Sequence, residues 1–218
     1  MAIGITLTGA DERTPLPELQ RLVEEHPTLE IGLLYTARPE GRNRYPSWDW
    51  LVEAADAIQG RCALHVCGRL ARLELFQGQL AAATKNVARI QVNGIIEVAD
   101  LREVVRIFRS HTVITQDHAD NRDLWLSRIV HALLVDGSGG RGIAPTEWVR
   151  PNTWKDVGFA GGLGPDNLAE ELPKIAAVAT GNWWIDMESN LRTNDWFDLD
   201  KAAKCLGIFE KFTSERIA

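Results

Sequence analysis

Cysteine is scarce in this sequence. Cys62, Cys67 and Cys205 are the three among 218 residues, an odd and sparse set. They do not read as a disulfide framework, and they point to a reducing compartment with cytoplasm as the default. Positive charge is not in excess either. The formal net charge is -6, so no basic footprint invites nucleic acid. No apolar run approaches the roughly 18 residues of a membrane helix. Met1-Ala2-Ile3-Gly4-Ile5 lacks a charged segment leading into an apolar one, so neither a membrane span nor a signal peptide is expected. Low-complexity tracts and long linkers are missing. So are the Gly-x-Ser-x-Gly of a nucleophile elbow and the Gly-Lys-Ser/Thr ending of a phosphate loop.

What the chain does have is alternation of apolar runs and amphipathic segments. Strands are expected at Ile3–Thr8, Glu30–Thr36, Cys62–Cys67, Ala88–Asn93, Thr112–Asp117, Ala132–Asp136, Asp156–Ala160 and Trp183–Glu188. Helices are expected near Leu16–Glu25, Trp48–Ile58, Ala71–Ala83, Leu101–Arg109, Arg122–Ile129, Leu168–Ala179 and Leu199–Phe212, with a turn at Glu147-Trp148 for the remaining one. Strands alternating with helices give an α/β protein with a parallel sheet. Eight repeats in this length fit one compact (β/α)8 barrel, a TIM barrel, over 1–218. A doubly wound open sheet is the alternative, but no segment reads as a charged, blunted edge strand.

The period of two then sorts side chains between helix layer and barrel interior. Ile5, Leu7, Leu64, Val66, Ile90, Val92, Leu133, Val135, Ile185 and Met187 should pack under helices. Thr6, Thr8, His65, Cys67, Gln91, Asn93, Asp136, Asp186 and Glu188 then point inward, with Asp117 joining them. Polar groups gathered at the C-terminal ends of strands imply a solvated, functional mouth, because an apolar core would not tolerate them.

Two late segments carry the most specific pattern. One is Leu134-Val135-Asp136 followed by Gly139-Gly140-Arg141-Gly142, with Trp148 nearby. The other is Ala160-Gly161-Gly162-Leu163 followed by Pro165-Asp166-Asn167. Together they resemble the sixth and seventh strands of the phosphoribosylanthranilate isomerase family, (β/α)8-barrel enzymes of tryptophan biosynthesis. Ile90-Gln91-Val92-Asn93-Gly94 is similar to the family's fourth strand, with Asn93 in place of a histidine. Arg44-Tyr45-Pro46-Ser47 is similar to its second loop, and Ile185-Asp186-Met187-Glu188-Ser189-Asn190 stands at its eighth strand.

The resemblance implies an Amadori-type isomerisation of a phosphorylated aminoaldose, with no cofactor and no metal. Asp136 maps to the general acid. The position of the catalytic cysteine base holds Thr8, whose hydroxyl has no useful basicity near neutral pH. A replacement base is expected from Cys67, His65 or Asp117. The resemblance also implies a phosphate cradle in the glycines Gly161, Gly162 and Gly164, with Ser189 and Asn190 beside them. Glu188 there repels a phosphate unless Arg141 or Arg192 intervenes, and Arg44 and Asp186 complete the expected ligand contacts. The expected partner is a small anionic ligand, bound by a monomer or homodimer. Two readings of other classes stand beside this one: a binding barrel that has lost turnover, and a metal-dependent lyase or epimerase. The latter would use His65, Asp117, Asp136, Asp186 and Glu188, though no ligand spacing such as His-x-Glu supports it.

Overall fold

The alternating pattern closes into a barrel. A computed structural model describes residues 3–39, 41–117, 123–136 and 142–217. Its strands are β1 (Ile3–Thr8), β2 (Leu29–Tyr35), β3 (Cys62–Val66), β4 (Arg89–Val92), β5 (Thr112–Gln116), β6 (Ala132–Asp136), β7 (Val157–Ala160) and β8 (Trp183–Met187). They pair in sequence order, all parallel, and β8 returns to β1. The helices are α1 (Leu16–Glu25), α2 (Trp48–Ala57), α3 (Arg69–Phe76), α4 (Ala81–Thr84), α5 (Val98–Ile107), α6 (Leu168–Val178) and α7 (Leu199–Ile217). A short hairpin of β9 (Arg192–Thr193) and β10 (Trp196–Phe197) follows β8. The molecule is a (β/α)8 barrel, and no helix among the described residues is long and apolar enough to cross a membrane.

Burial follows the period of two. Ile5, Leu7, Leu33, Leu64, Ile90, Leu133, Phe159 and Ile185 join one core cluster or are fully buried beneath the helices. The interior is filled differently along its axis. Trp184 points inward and meets Ile114, Ala132, Leu134 and Ala160. Its indole takes the space that a side chain on Gly158 would need. Toward the N-terminal end, Arg89 stacks over Trp184 at 4.4 Å, pairs with Glu30 and donates to the Thr6 hydroxyl at 2.9 Å. Thr6 is therefore inward, as its position requires, but it belongs to this lower polar plug and not to the mouth.

Two expected helices are not there. The described part of the β5–β6 connection, 123–131, holds no α-helix, and neither does 142–156. Side chains from one segment take the backbone partners of the other, which removes the need for helical bonding. Lys155, buried, donates through Nζ to the carbonyls of Ser127 at 2.9 Å and Ile129 at 2.7 Å. Thr153 donates to the Trp125 carbonyl at 2.7 Å, and Arg150 donates to those of Pro151, Thr153 and Lys155. The expected Ala71–Ala83 helix is also split, because Gly78 adopts φ 74° between α3 and α4. Lys155→Met keeps the volume and removes both bonds. It is expected to cost about 2–4 kcal/mol in urea unfolding, since two buried carbonyls lose a charged donor. A loss below about 0.5 kcal/mol, the size of a neutral surface change, would show that the clasp is dispensable.

Candidate active site

The C-terminal ends of the strands enclose a cavity of about 70 Å³ whose lining includes Thr8, His65, Gln91, Gln116, Asp136 and Asp186. Asp136, at the end of β6, is level with Ala160, and Ala160 is level with Asp186 on β8. Parallel strands lie about 4.8 Å apart, so the two aspartates face the same space from Cα positions roughly 9 Å apart. Side chains from alternate strands form one layer in such barrels. The two carboxyls thus look at a common volume.

Asp186 is the electrostatic centre. It is buried, and Thr8 Oγ1 donates to its Oδ1 at 2.7 Å. Burial pushes its pKa up to about 7, against the lowering effect of the Thr8 bond and of Arg89, and with help from the nearby Glu188 and Glu30. A carboxyl at that value exchanges a proton readily near neutral pH. Thr8 has become the orienting group at the place where the resemblance puts the base.

The three expected bases sit in different settings. His65 is buried, and its pKa is pushed down to about 3 by burial and by Arg89. Its Nδ1 lies 3.3 Å from Gln91 Nε2, so Nδ1 is assigned as the acceptor. Cys67 is held as a thiol, with its pKa pushed up to about 12 chiefly by burial. It donates to the His65 carbonyl, accepts from Asn93 Nδ2 at 3.2 Å, and lines a neighbouring cavity. Asp117 is misassigned by one position. Gln116, not Asp117, points inward, and it donates to Asp136 Oδ2 at 3.3 Å. Asp117 instead accepts from Trp125 Nε1 at 2.8 Å and lines an outer cleft with Val135 and Trp148. The sequence did not single out Gln116 because Val113 and Ile114 are both apolar, which leaves the facing of β5 ambiguous by pattern.

The turn expected to cradle a phosphate is packed closely on its Cβ side, while Gly161, Gly162, Ser189 and Asn190 line the same cavity as Asp136 and Asp186. Asn190 donates to the Gly162 carbonyl at 2.7 Å and packs directly on Gly164. Asn167 accepts from the Gly164 amide at 2.9 Å and donates to the same Gly162 carbonyl. The Ile143–Ala144 backbone covers Gly161 and Gly162, and Ser189 abuts Gly142. Gly161 and Gly162 have φ of 120° and 62°, so the turn itself needs glycine.

The arginines are likewise committed. Arg44 Nη1 pairs with Glu188 Oε1 at 2.7 Å. Burial raises the Glu188 pKa, while Arg44 and Arg192 oppose the rise. Arg192 donates to the Gly9 carbonyl at 2.6 Å and pairs with the fully buried Asp11 at 2.7 Å, so its role is architectural. Arg141 lies outside the described residues. Among the described residues no three His, Cys, Asp or Glu side chains are placed to share a metal ion. The mouth does hold an open acceptor, because Gln91 Oε1 is buried without a protein partner. Gln91 Nε2 is already turned to Asn93 Oδ1 at 2.9 Å.

No protein-family model matches this chain, and no curated protein matches it by sequence. Solved structures do. The phosphoribosylanthranilate isomerase of Thermus thermophilus superposes with a TM-score of 0.68 at 19% identity, over 96% of this chain and 99% of that one. TrpF from Jonesia denitrificans gives 0.68 at 16% identity, over 95% and 96%. A phosphoribosylanthranilate isomerase in complex with reduced 1-(o-carboxyphenylamino)-1-deoxyribulose 5-phosphate gives 0.67 at 12% identity, over 96% and 99%. The chain thus has the fold of the phosphoribosylanthranilate isomerases across nearly its whole length, at identities that carry the architecture and leave the chemistry to be argued from the residues.

Proposed function

We propose that this barrel binds a small phosphorylated, sugar-type ligand at its C-terminal face and isomerises it by proton transfer. Asp186 is the base and Asp136 the acid. The observation that carries this reading is the Thr8–Asp186 hydrogen bond of 2.7 Å, which orients a buried carboxyl with a pKa near 7 toward the space that Asp136 also faces. In an Amadori-type step, Asp136 delivers a proton to the ring oxygen as the C1–O bond breaks and the substrate amine's lone pair forms a C1=N bond. Asp186 then removes the proton on C2, the electron pair of that C–H bond forms C1=C2 while the C=N pair returns to nitrogen, and the resulting enaminol tautomerises to the aminoketose. An acid and a base on different sides of the sugar meet that need. Gln91 Oε1 offers an acceptor to a substrate hydroxyl. A solved relative with a phosphorylated deoxyribulose derivative supports the ligand class.

The threonine standing where the resemblance puts the base favours a second reading, a barrel that binds such a ligand without turnover. Solvent exchange separates the two. Incubation in D2O with a panel of aldose, ketose and amino-sugar phosphates is expected to place deuterium at the carbon beside the carbonyl of at least one of them, by NMR. Phosphoribosylanthranilate itself is expected to turn over poorly, since Thr8 stands where the resemblance puts the cysteine base. Absence of exchange across the panel, with ligand binding retained, would replace the catalytic reading by the binding one.

A further inference from the structure

Gln91 lines the mouth and is buried, yet its Oε1 has no partner among the described residues. A buried acceptor left bare costs free energy until a donor reaches it, so this atom points to something the cavity receives. The bonds around it say what that is. His65, Cys67, Asn93 and Gln91 close a ring. The single thiol hydrogen of Cys67 goes to the His65 carbonyl at 3.5 Å, and with the Cys67 pKa pushed up to about 12 by burial that hydrogen stays in place. Toward Asn93 the sulfur then acts as the acceptor, from Nδ2 at 3.2 Å. That leaves Asn93 Oδ1 to accept from Gln91 Nε2 at 2.9 Å. The second hydrogen of the same amide goes to His65 Nδ1 at 3.3 Å. The roles in the ring are thereby fixed. Gln91 Oε1 is an acceptor without a donor, and the neutral His65 carries its proton on Nε2. No described residue accepts from that Nε2–H. Burial and Arg89 push the His65 pKa down to about 3, so the ring stays neutral and keeps this tautomer.

His65 is level with Gln91 on the neighbouring strand, and both line the cavity that Asp136 and Asp186 share. A hydroxyl serves both atoms at once, accepting from Nε2–H and donating to Oε1. A carbonyl or an ether meets the donor alone, and an ammonium meets the acceptor alone. We propose that His65 and Gln91 together read one hydroxyl of the ligand, the one on C3, beside the carbon whose proton is exchanged. The choice of C3 rests on the function argued above. The C2 hydroxyl becomes the ketone during that reaction, so it cannot donate to Gln91 at both ends of it. The cavity of about 70 Å³ is too small to separate the reading pair from the reacting carbons by more than a bond or two. The ligand class narrows accordingly to sugar phosphates with a free C3 hydroxyl. A site built to bond a hydroxyl rejects the analogue that lacks it, because its own buried groups are then left unpaired.

The test uses the full-length protein with 15N in its histidine and glutamine side chains. In the ligand-free protein His65 is expected to carry its proton on Nε2, with Nδ1 bare. Ribose 5-phosphate should shift the His65 Nε2 signal saturably, and 3-deoxyribose 5-phosphate should bind about tenfold or more weakly. Gln91→Met, close in volume, should bring the two affinities together. A merely structural role for Gln91 would weaken both sugars alike and leave their ratio unchanged. The wild-type tautomer and the wild-type ratio decide the matter if that variant does not fold. A proton on Nδ1, or a charged His65 at pH 6, would overturn the proposal. So would a His65 indifferent to ribose 5-phosphate at tens of millimolar, equal affinity for the two sugars, or a ratio unmoved in Gln91→Met. Deuterium exchange keeps this claim apart from the catalytic one. Preference for the hydroxylated sugar without exchange on any substrate would remove turnover and leave the hydroxyl site standing. Exchange as fast on the 3-deoxy sugar as on ribose 5-phosphate would keep proton transfer and remove the hydroxyl site.

Discussion

Asp11→Ala is expected to cost about 3–5 kcal/mol, because it strands a buried guanidinium. Asp11 is fully buried and answers three donors: Arg192 Nη2 at 2.7 Å, the Phe197 amide at 2.8 Å and the Arg13 amide at 3.1 Å. Arg192 in turn reaches the Gly9 and Asp195 carbonyls. This knot joins the loop after β1 to the β9–β10 hairpin after β8, on the rim beside Thr8 and Glu188. A melting point about 10 °C lower follows for a chain of this size. Asp11→Asn should fall between, since it keeps an acceptor but not the charge. Arg192→Met added to Asp11→Ala should recover much of the loss, because the uncompensated charge goes with it. A loss under about 1 kcal/mol, typical of an exposed pair, would mean that solvent reaches Arg192 and that the knot does not hold the rim.

Much of this architecture can be read from the sequence, and the reasons are local. β1, β6, α1 and the start of β8 lie where the period of two and the helical apolar stripe put them. Asp136, Asp186 and Thr8 reach the mouth because each follows an inward register through a short strand. Trp184 turns inward and Trp183 outward for the same reason. What escapes the pattern depends on partners far along the chain. The segment after β5 reads as a helix by composition, but its carbonyls are bound by Lys155 and Thr153 from the next connection. The glycines after β7 announce a tight turn, and nothing in them tells that Asn190 and Ala144 will pack against it. The electrostatic setting of the expected bases escapes the sequence for a similar reason. Cys67 and His65 have suitable chemistry in water, and burial moves both away from neutrality while moving Asp186 toward it.

Asp186→Asn is expected to cut proton exchange by about 10²–10⁴-fold while making the protein more stable at pH 8. The two effects share one cause. The pKa of Asp186 rises from 3.8 to about 7 because burial disfavours its charge. Between those values the folded protein keeps a proton that the unfolded chain has released. Stability therefore falls as pH rises through that window, by at most about 1.4 kcal/mol per pH unit from this group. Below the unfolded value both states hold the proton, and above the folded value the full cost is present. Asparagine carries no such charge, so the slope from this site should vanish in urea unfolding measured from pH 4 to pH 8. The Thr8 hydroxyl can still donate to the amide oxygen, which keeps the side chain in place. Thr8→Val makes the opposite adjustment. It removes a bond that favours the ionised form, so the acid limb of the exchange profile should move to higher pH. A wild-type stability profile equally flat with that of Asp186→Asn across this range would sink the assignment, because a carboxyl that costs nothing to ionise is not poised to act as the base. Loss of stability in Asp186→Asn at pH 8 would do the same. It would show that the charge is held by the barrel, as a structural anion paired with Arg89, and not kept near neutrality for proton transfer.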